Sequence, residues 1–222
     1  MLSAAKDGIP GFKREKGSRK GMREIGRIKR LQVQRSRLKL GEKPDRYYDP
    51  APLLPVSRLL LMAKGVIGVT ADGEQIIDVH NADHPETRNV NGCNGISIGF
   101  SSHYAAMRDH FGVHLIDGIA GENILVETGA RQSLADLERG VAIQSAAAGQ
   151  MIYLKDLLVA TPCVEFSRFA ATGITGMVPP LANTELKEAL QFLDAGQRGF
   201  YATLAEAQEP VAIQAGDSVF AL

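Results

Sequence analysis

Apolar positions in this chain fall mostly in short runs cut by glycine turns, with helical spacing in only a few places. From Gly26, Ile28, Leu31 and Val33 sit among basic residues, which predicts a first strand with one solvated face. Val56 to Ala63 is apolar without a clean period, so strand and helix both fit. Gly65 to Val69 and Gln75 to Val79 read as short strands joined in a hairpin by the Ala71-Asp72-Gly73 turn. Ile96 to Phe100 reads as a strand. Ser101 or Ser102 then caps a helix carrying Tyr104, Met107, Arg108 and Phe111, and Gly112 stops it. Val141 to Ser145, Met151 to Leu154 and Leu157 to Ala160 read as three strands, with turns at Gly149-Gln150 and Lys155-Asp156. Asn183 or Thr184 caps an amphipathic helix with Leu186, Ala189, Leu190 and Leu193, ended by Gly196. Arg198 to Ala202 leads into a strand, and Val219 to Leu222 is a last one. Many short strands with two or three helices predict a mainly β barrel decorated with helices, an α+β fold.

One run stands apart. Leu157 to Ala160 is continuously apolar, the pattern of a strand covered on both faces. Pro162 donates no ladder hydrogen bond and pushes Thr161 towards an extended shape, so the strand ends there. Cys163 follows at the point where scaffold gives way to loop. On pattern alone it reads either as a small buried hydrophobe or as a functional thiol.

Composition narrows the class. The 222 residues suit one domain, or one with an appendage, and 45% hydrophobic content builds a real core. We divide the chain into a flexible basic arm over 1–24, broken by Gly8, Pro10, Gly11, Gly17 and Gly21, and a barrel domain over 25–222. No run approaches the ~18 apolar residues of a membrane-spanning helix. Two cysteines make no disulfide framework, and the start has no apolar signal core. The expectation is a soluble cytoplasmic protein with reduced thiols and no membrane partner.

The net charge is zero, but residues 1–50 hold 15 of the 25 Lys and Arg and 6 of the 25 Asp and Glu, about +9 against −9 in the remainder. Nucleic acid binding is not favoured, because the arm has few aromatics and its cations alternate with glycines and acids. It reads instead as a solvated arm, or as a strap between subunits of a homo-oligomer. A further reading sets its charge against an anionic ligand.

Between His80 and Gly95 lies a polar loop holding His80, Asp83, His84, Glu86 and Arg88, with turn signals at Asn91-Gly92 and Asn94-Gly95. His80 and His84 have the spacing of two ligands on a helix, but Pro85 argues against a helix there. Cys93 in the same loop is read as incidental, with a resolving thiol or second ligand as the alternative.

Four pieces in order resemble the MOSC domain family, named for the carboxy-terminal domain of molybdenum cofactor sulfurase. They are Gly121-Glu122-Asn123, Thr161-Pro162-Cys163, the Leu193 to Ala202 segment with Gly196, Gly199, Phe200 and Tyr201, and Gly216-Asp217-Ser218-Val219. Phe100-Ser101-Ser102-His103-Tyr104 is similar to the helix start of stand-alone bacterial members. The likeness runs from about Gly26 to Leu222. It implies a β-barrel resembling the pyruvate kinase barrel domain, with Cys163 as sulfur carrier or molybdenum ligand. It differs at the histidines ahead of the helix, where this chain reads His80-Asn81-Ala82-Asp83-His84.

The chemistry expected from that resemblance centres on a thiolate. A free thiol with pKa near ~8.5 is mostly protonated at neutral pH. Arg168, five residues on, is the candidate to favour its charge or to grip a pterin phosphate, with a plain surface arginine as the alternative. In the leading reading Cys163 ligates molybdenum through the molybdenum cofactor (molybdopterin), and an N-hydroxylated small-molecule substrate is reduced. His103 serves as general acid, while His80, Glu122, Asn123, Thr161 and Arg168 line the cofactor pocket. In the alternative, Cys163 carries a persulfide loaded by a separate sulfur donor protein. Pyridoxal phosphate chemistry belongs to the sulfurase's other domain, and no Schiff-base lysine segment is evident here. A third reading is an assembly module acting through the arm.

Overall fold

A computed structural model describes residues 21–87, 89, 92–147, 149–176, 181–205 and 210–222. Most of the basic arm, Arg88 and Asn91 lie outside the described residues.

In chain order the strands are β1 (Arg23–Gln34), β2 (Lys39–Leu40), β3 (Tyr47–Tyr48), β4 (Leu53–Pro55), β5 (Arg58–Met62), β6 (Gly65–Val69), β7 (Gln75–Ile77) and β8 (Ile96–Phe100). Helix α1 (Ser101–Phe111) precedes β9 (Ile124–Glu127), β10 (Val141–Ser145) and β11 (Gln150–Val159). Helices α2 (Val164–Thr172) and α3 (Asn183–Leu193) are followed by β12 (Phe200–Leu204), β13 (Val211–Gln214) and β14 (Ser218–Ala221). Seven strands close a barrel in the order β14-β10-β11-β12-β8-β9-β1, and β1 pairs back onto β14. The barrel is mixed. β8 and β9 run parallel, joined by the α1 crossover, and the other neighbours are antiparallel. The expected α+β barrel is therefore what the chain forms.

The closing strand is β1. Its first half pairs with β14 and its middle with β9, with bulges between Glu24 and Gly26 and between Ile28 and Arg30. Bulges let one long strand bend around a barrel corner. Its end leaves the barrel to pair with β4, beside a separate sheet ordered β13-β5-β6-β7.

Two apolar clusters result. Ile28, Leu31, Ile98, Phe100, Ile124, Ile143, Leu154 and Phe200 fill the barrel. Outside its wall, Tyr104 and Met107 of α1 and Phe166 and Phe169 of α2 pack with Leu38, Tyr48 and Leu125.

Four local expectations change. The Lys155-Asp156 turn is a bulge within one continuous strand, since β11 shifts register between Lys155 and Leu158 and Asp156 has φ of 53°. The segment is not covered on both faces, because Leu158 is 50% exposed while Leu157 and Val159 pack on the barrel core. A helix that was not expected, α2, begins directly after Cys163. Neither serine caps α1. Ser101 Oγ accepts the Thr128 N–H (3.0 Å) and Ser102 Oγ meets Thr128 Oγ1 (2.8 Å), so both tie the helix to the chain leaving β9.

No helix among the described residues is long and apolar enough to cross a membrane.

Candidate functional site

A cleft of about 260 Å³ opens over the second apolar cluster, where β1, the β2–β3 hairpin, the ends of β8 and β11 and the start of α2 meet. Cys163 stands in its wall. Val159 ends β11, Ala160 donates its N–H to the Gly199 carbonyl (3.0 Å), and Pro162 prevents further pairing. Cys163 takes extended backbone angles (φ −109°, ψ 155°) as the residue capping α2, and its carbonyl accepts the Ser167 N–H (2.9 Å). The thiol makes no capping bond, so the first-turn N–H groups leave a positive end beside it.

Beside Cys163 lies Arg198, which the sequence reading passed over. One guanidinium nitrogen donates to the Thr161 carbonyl (3.3 Å) and another to the Ala120 carbonyl (3.2 Å), while the plane lies 4.5 Å above the Phe166 ring. Its Nε is buried without a partner, and no carboxylate comes within 4 Å of the guanidinium among the described residues. Burial works against its charge, but Cys163, Tyr201, Tyr48 and Tyr104 facing it outweigh burial and raise its pKa above the ordinary arginine value. A fixed guanidinium without a counter-ion is a place for an anion. Further cations stand at the rim. Arg37 pairs with Glu86 (3.8 Å), Arg46 pairs with Glu165 (2.5 Å), and Lys39 lies between them in sequence.

Two buried acids, one behind the cleft and one lining it, are in different states of engagement. Asp78 is fully buried behind it and accepts the Gln34 N–H (2.7 Å), the Asn123 amide (2.9 Å) and the His80 N–H (2.8 Å). Its Oδ1 also lies 3.2 Å from His80 Nδ1, which fixes the ring of His80 at the cleft wall near Tyr201. Glu122 lines the cleft at 4% exposure. Its Oε2 accepts the Tyr104 hydroxyl (2.8 Å), which in turn accepts the Ala120 N–H (2.9 Å), while Oε1 has no partner. Burial pushes its pKa up to about 7, against the lowering pull of its own backbone N–H, the Tyr104 hydrogen bond and Arg198.

Of the expected site residues, Cys163, Thr161, His80 and Glu122 come together in the cleft. Three do not line it. His103 is 2% exposed, packed against Phe100 and Phe200, and its Nε2 accepts the Gln132 N–H (3.1 Å). Burial, with Arg131 nearby, lowers its pKa to about 4, so its imidazole is neutral near pH 7 and is no general acid there. Asn123, 1% exposed, spends both amide hydrogens on Asp78 and the Gln32 carbonyl, and its oxygen on Ser97, so it binds the fold together and has no donor left for a ligand. Arg168 lies five residues past Cys163, about 140° around the helix. It therefore reaches the Pro44 carbonyl (3.4 Å) and lines a separate cavity of about 120 Å³.

His80 and His84 do not share partners, since His84 contacts the Arg35 carbonyl (3.2 Å) and the Glu86 N–H (3.1 Å). No group of three His, Cys, Asp or Glu among the described residues is placed to hold a metal. Cys93 is exposed, in no disulfide, and does not line the cleft. The signal for Arg198 was its sequence position between Gly196 and Gly199, and at Gly199 a Cβ would stand 2.3 Å from the Ile98 carbonyl oxygen.

No family model and no curated protein matches the chain. Among solved structures it is similar to the YuaD protein of Bacillus subtilis, with 13% identity and a TM-score of 0.52 over 88% of this chain and 94% of that one. A second structure, of a hypothetical protein, has 11% identity and a TM-score of 0.46 over 89% of this chain and 68% of the other. The likeness to YuaD is one of fold.

Proposed function

We propose that this chain binds the molybdenum-pterin cofactor through Cys163 and reduces N-hydroxylated compounds in the cleft. The observation that carries the reading is the pairing of an accessible thiol with the unneutralised guanidinium of Arg198 in one cleft. The donor set fits the group. A pterin dithiolene brings its own sulfurs, so one soft thiolate suffices and a cluster of protein ligands is not needed. Cys163 would ligate the metal, and Arg198 with the rim cations Arg37 and Lys39 would hold the pterin phosphate. When bound, the group supplies the two-electron chemistry. The protein's own part is to orient, through the Asp78-fixed ring of His80, and to keep the inner wall dry, through Phe200 and Ile98.

The test is the molybdenum content of the protein from cells that make the cofactor, with Cys163→Ala beside it. Near-stoichiometric metal in the wild type and none in the variant is expected. Equal metal in both, or full reductase activity in the variant, overturns the reading.

A second reading has its own support. Thr161 and Val164 on either side of Cys163 are exposed, which lets the cysteine persulfide of a donor protein approach. Cys163 would take its outer sulfur and carry the persulfide, and the donor would leave as a thiol. A mass gain of one sulfur, lost on reduction and absent from Cys163→Ala, supports it. No such gain after incubation with a sulfur donor removes it.

A further inference from the structure

Glu122 is the acid at the cleft that nothing in the cofactor-binding role uses. Its carboxyl lies flat on the backbone of β8, so close that a Cβ on Gly99 would stand 2.7 Å from Oε1. Oε2 is fixed by a hydroxyl whose hydrogen has one direction to go, since Tyr104 accepts from Ala120 and donates to Glu122. Oε1 is buried without a protein partner. An orphan oxygen on a carboxylate is costly in such a place, and a hydrogen on it removes the charge and makes a donor. A single buried carboxyl lining the same cleft as Cys163, with one oxygen anchored and the other without a partner, has the construction of a general acid.

We propose that Glu122 is the proton donor of this cleft, giving its hydrogen to a ligand bound against Cys163, with Tyr104 as its positioning residue. The inference rests on the reductase reading above. For an N-hydroxylated amidine the balance is as follows. Two equivalents of an external one-electron reductant, such as a reduced viologen, supply the two electrons, and the N–O bond breaks. Glu122 and solvent supply one proton each, and the products are the amidine and water. Glu122 then reloads from solvent. The charged and titratable groups facing it are Tyr104 of α1, Arg198 ahead of β12, Asp117 of the loop before β9 and Tyr48 of β3. Arg198 favours the carboxylate and Asp117 opposes it, and burial outweighs both, so the acid form persists to about pH 7.

The test has a readout that needs no loaded enzyme. Infrared difference spectra of wild type against Glu122→Gln, taken across pH, should show a protonated carboxyl stretch that disappears with a midpoint near 7. Tyr104→Phe, which removes a hydrogen bond favouring the carboxylate, should move that midpoint upward. With molybdenum content confirmed in both, Glu122→Gln should turn over about 100-fold more slowly with the amidine. The wild-type rate should decline through pH 7, and the variant's rate should not. A carboxyl already ionised at pH 5, or wild-type turnover in Glu122→Gln, overturns the proposal. Absence of molybdenum from both proteins would instead remove the cofactor reading, and the donor would then stand or fall on the infrared titration.

Discussion

At the scale of single residues, the cleft is governed by how completely each polar atom is satisfied. Asn123 and Glu122 are neighbours in sequence and both buried, yet their roles diverge. Asn123 has every polar group engaged, whereas Glu122 keeps one oxygen free. The difference depends on the absence of a side chain at Gly99. A Cβ there would meet the Glu122 carboxyl at 2.7 Å and its Cγ at 2.9 Å, and that carboxyl is not a free-swinging tip because Tyr104 holds it. Gly99→Ala should therefore push Glu122 off Tyr104 and shift the infrared midpoint, while Cys163 remains as reactive to a thiol reagent as in the wild type. An unchanged midpoint would show that the wall yields elsewhere.

At the scale of elements, the passage from β11 into α2 sets the thiol, and the start of α1 shows a polar residue used for structure. His103 is buried in the first turn of α1, where it holds the Gln132 backbone. Its folded pKa of about 4 lies below the ordinary 6.5, so the unfolded chain binds the extra proton first as pH falls. The stability it allows is complete above pH 6.5 and is lost as pH falls towards 4, by roughly 3 kcal/mol at ~1.36 kcal/mol per pH unit. Glu122 acts with the opposite sign. Its folded pKa of about 7 exceeds the ordinary 4.5, so its contribution is complete below 4.5 and is lost as pH rises to 7. The two slopes offset each other in the wild type. Urea unfolding across pH 4–7 should thus find His103→Gln falling less on acidification than the wild type, and Glu122→Gln falling less on alkalisation. Parallel curves for all three proteins would contradict both assignments.

At the scale of the whole molecule, the barrel is closed by one strand meeting two partners, β14 and β9, in succession. Gly26 sits at that crossing. A Cβ there would stand 1.9 Å from the Glu127 carbonyl oxygen, a clash with backbone that no side-chain rotation relieves. Gly26→Ala should cost about 3 kcal/mol, read as a lowered unfolding midpoint. Because Gln34 at the far end of the same strand lines the cleft, unfolding of the variant at lower temperature should also release any ligand bound there. A midpoint equal to wild type would mean that the seam bends to accept a methyl group.

Local pattern carried much of this protein. Alternating and continuous apolar runs located most strands, the 3.6-residue spacing located α1 and α3, and Pro162 before a cysteine marked the end of β11. These features depend on neighbours within a few residues, which a sequence displays directly. Lys155-Asp156 misled because a bulge and a turn use the same residues and differ only in whether the partner strand continues, and here β12 does. The membership of the cleft was a tertiary matter. Arg198 and Cys163 meet because β11 and β12 are neighbours in the barrel, and Arg168 misses because five residues of helix carry it around α2. His103 left the list of acids and Glu122 entered another role for one reason. Burial and orphaned atoms are properties of packing, and packing is fixed by residues far apart in the chain.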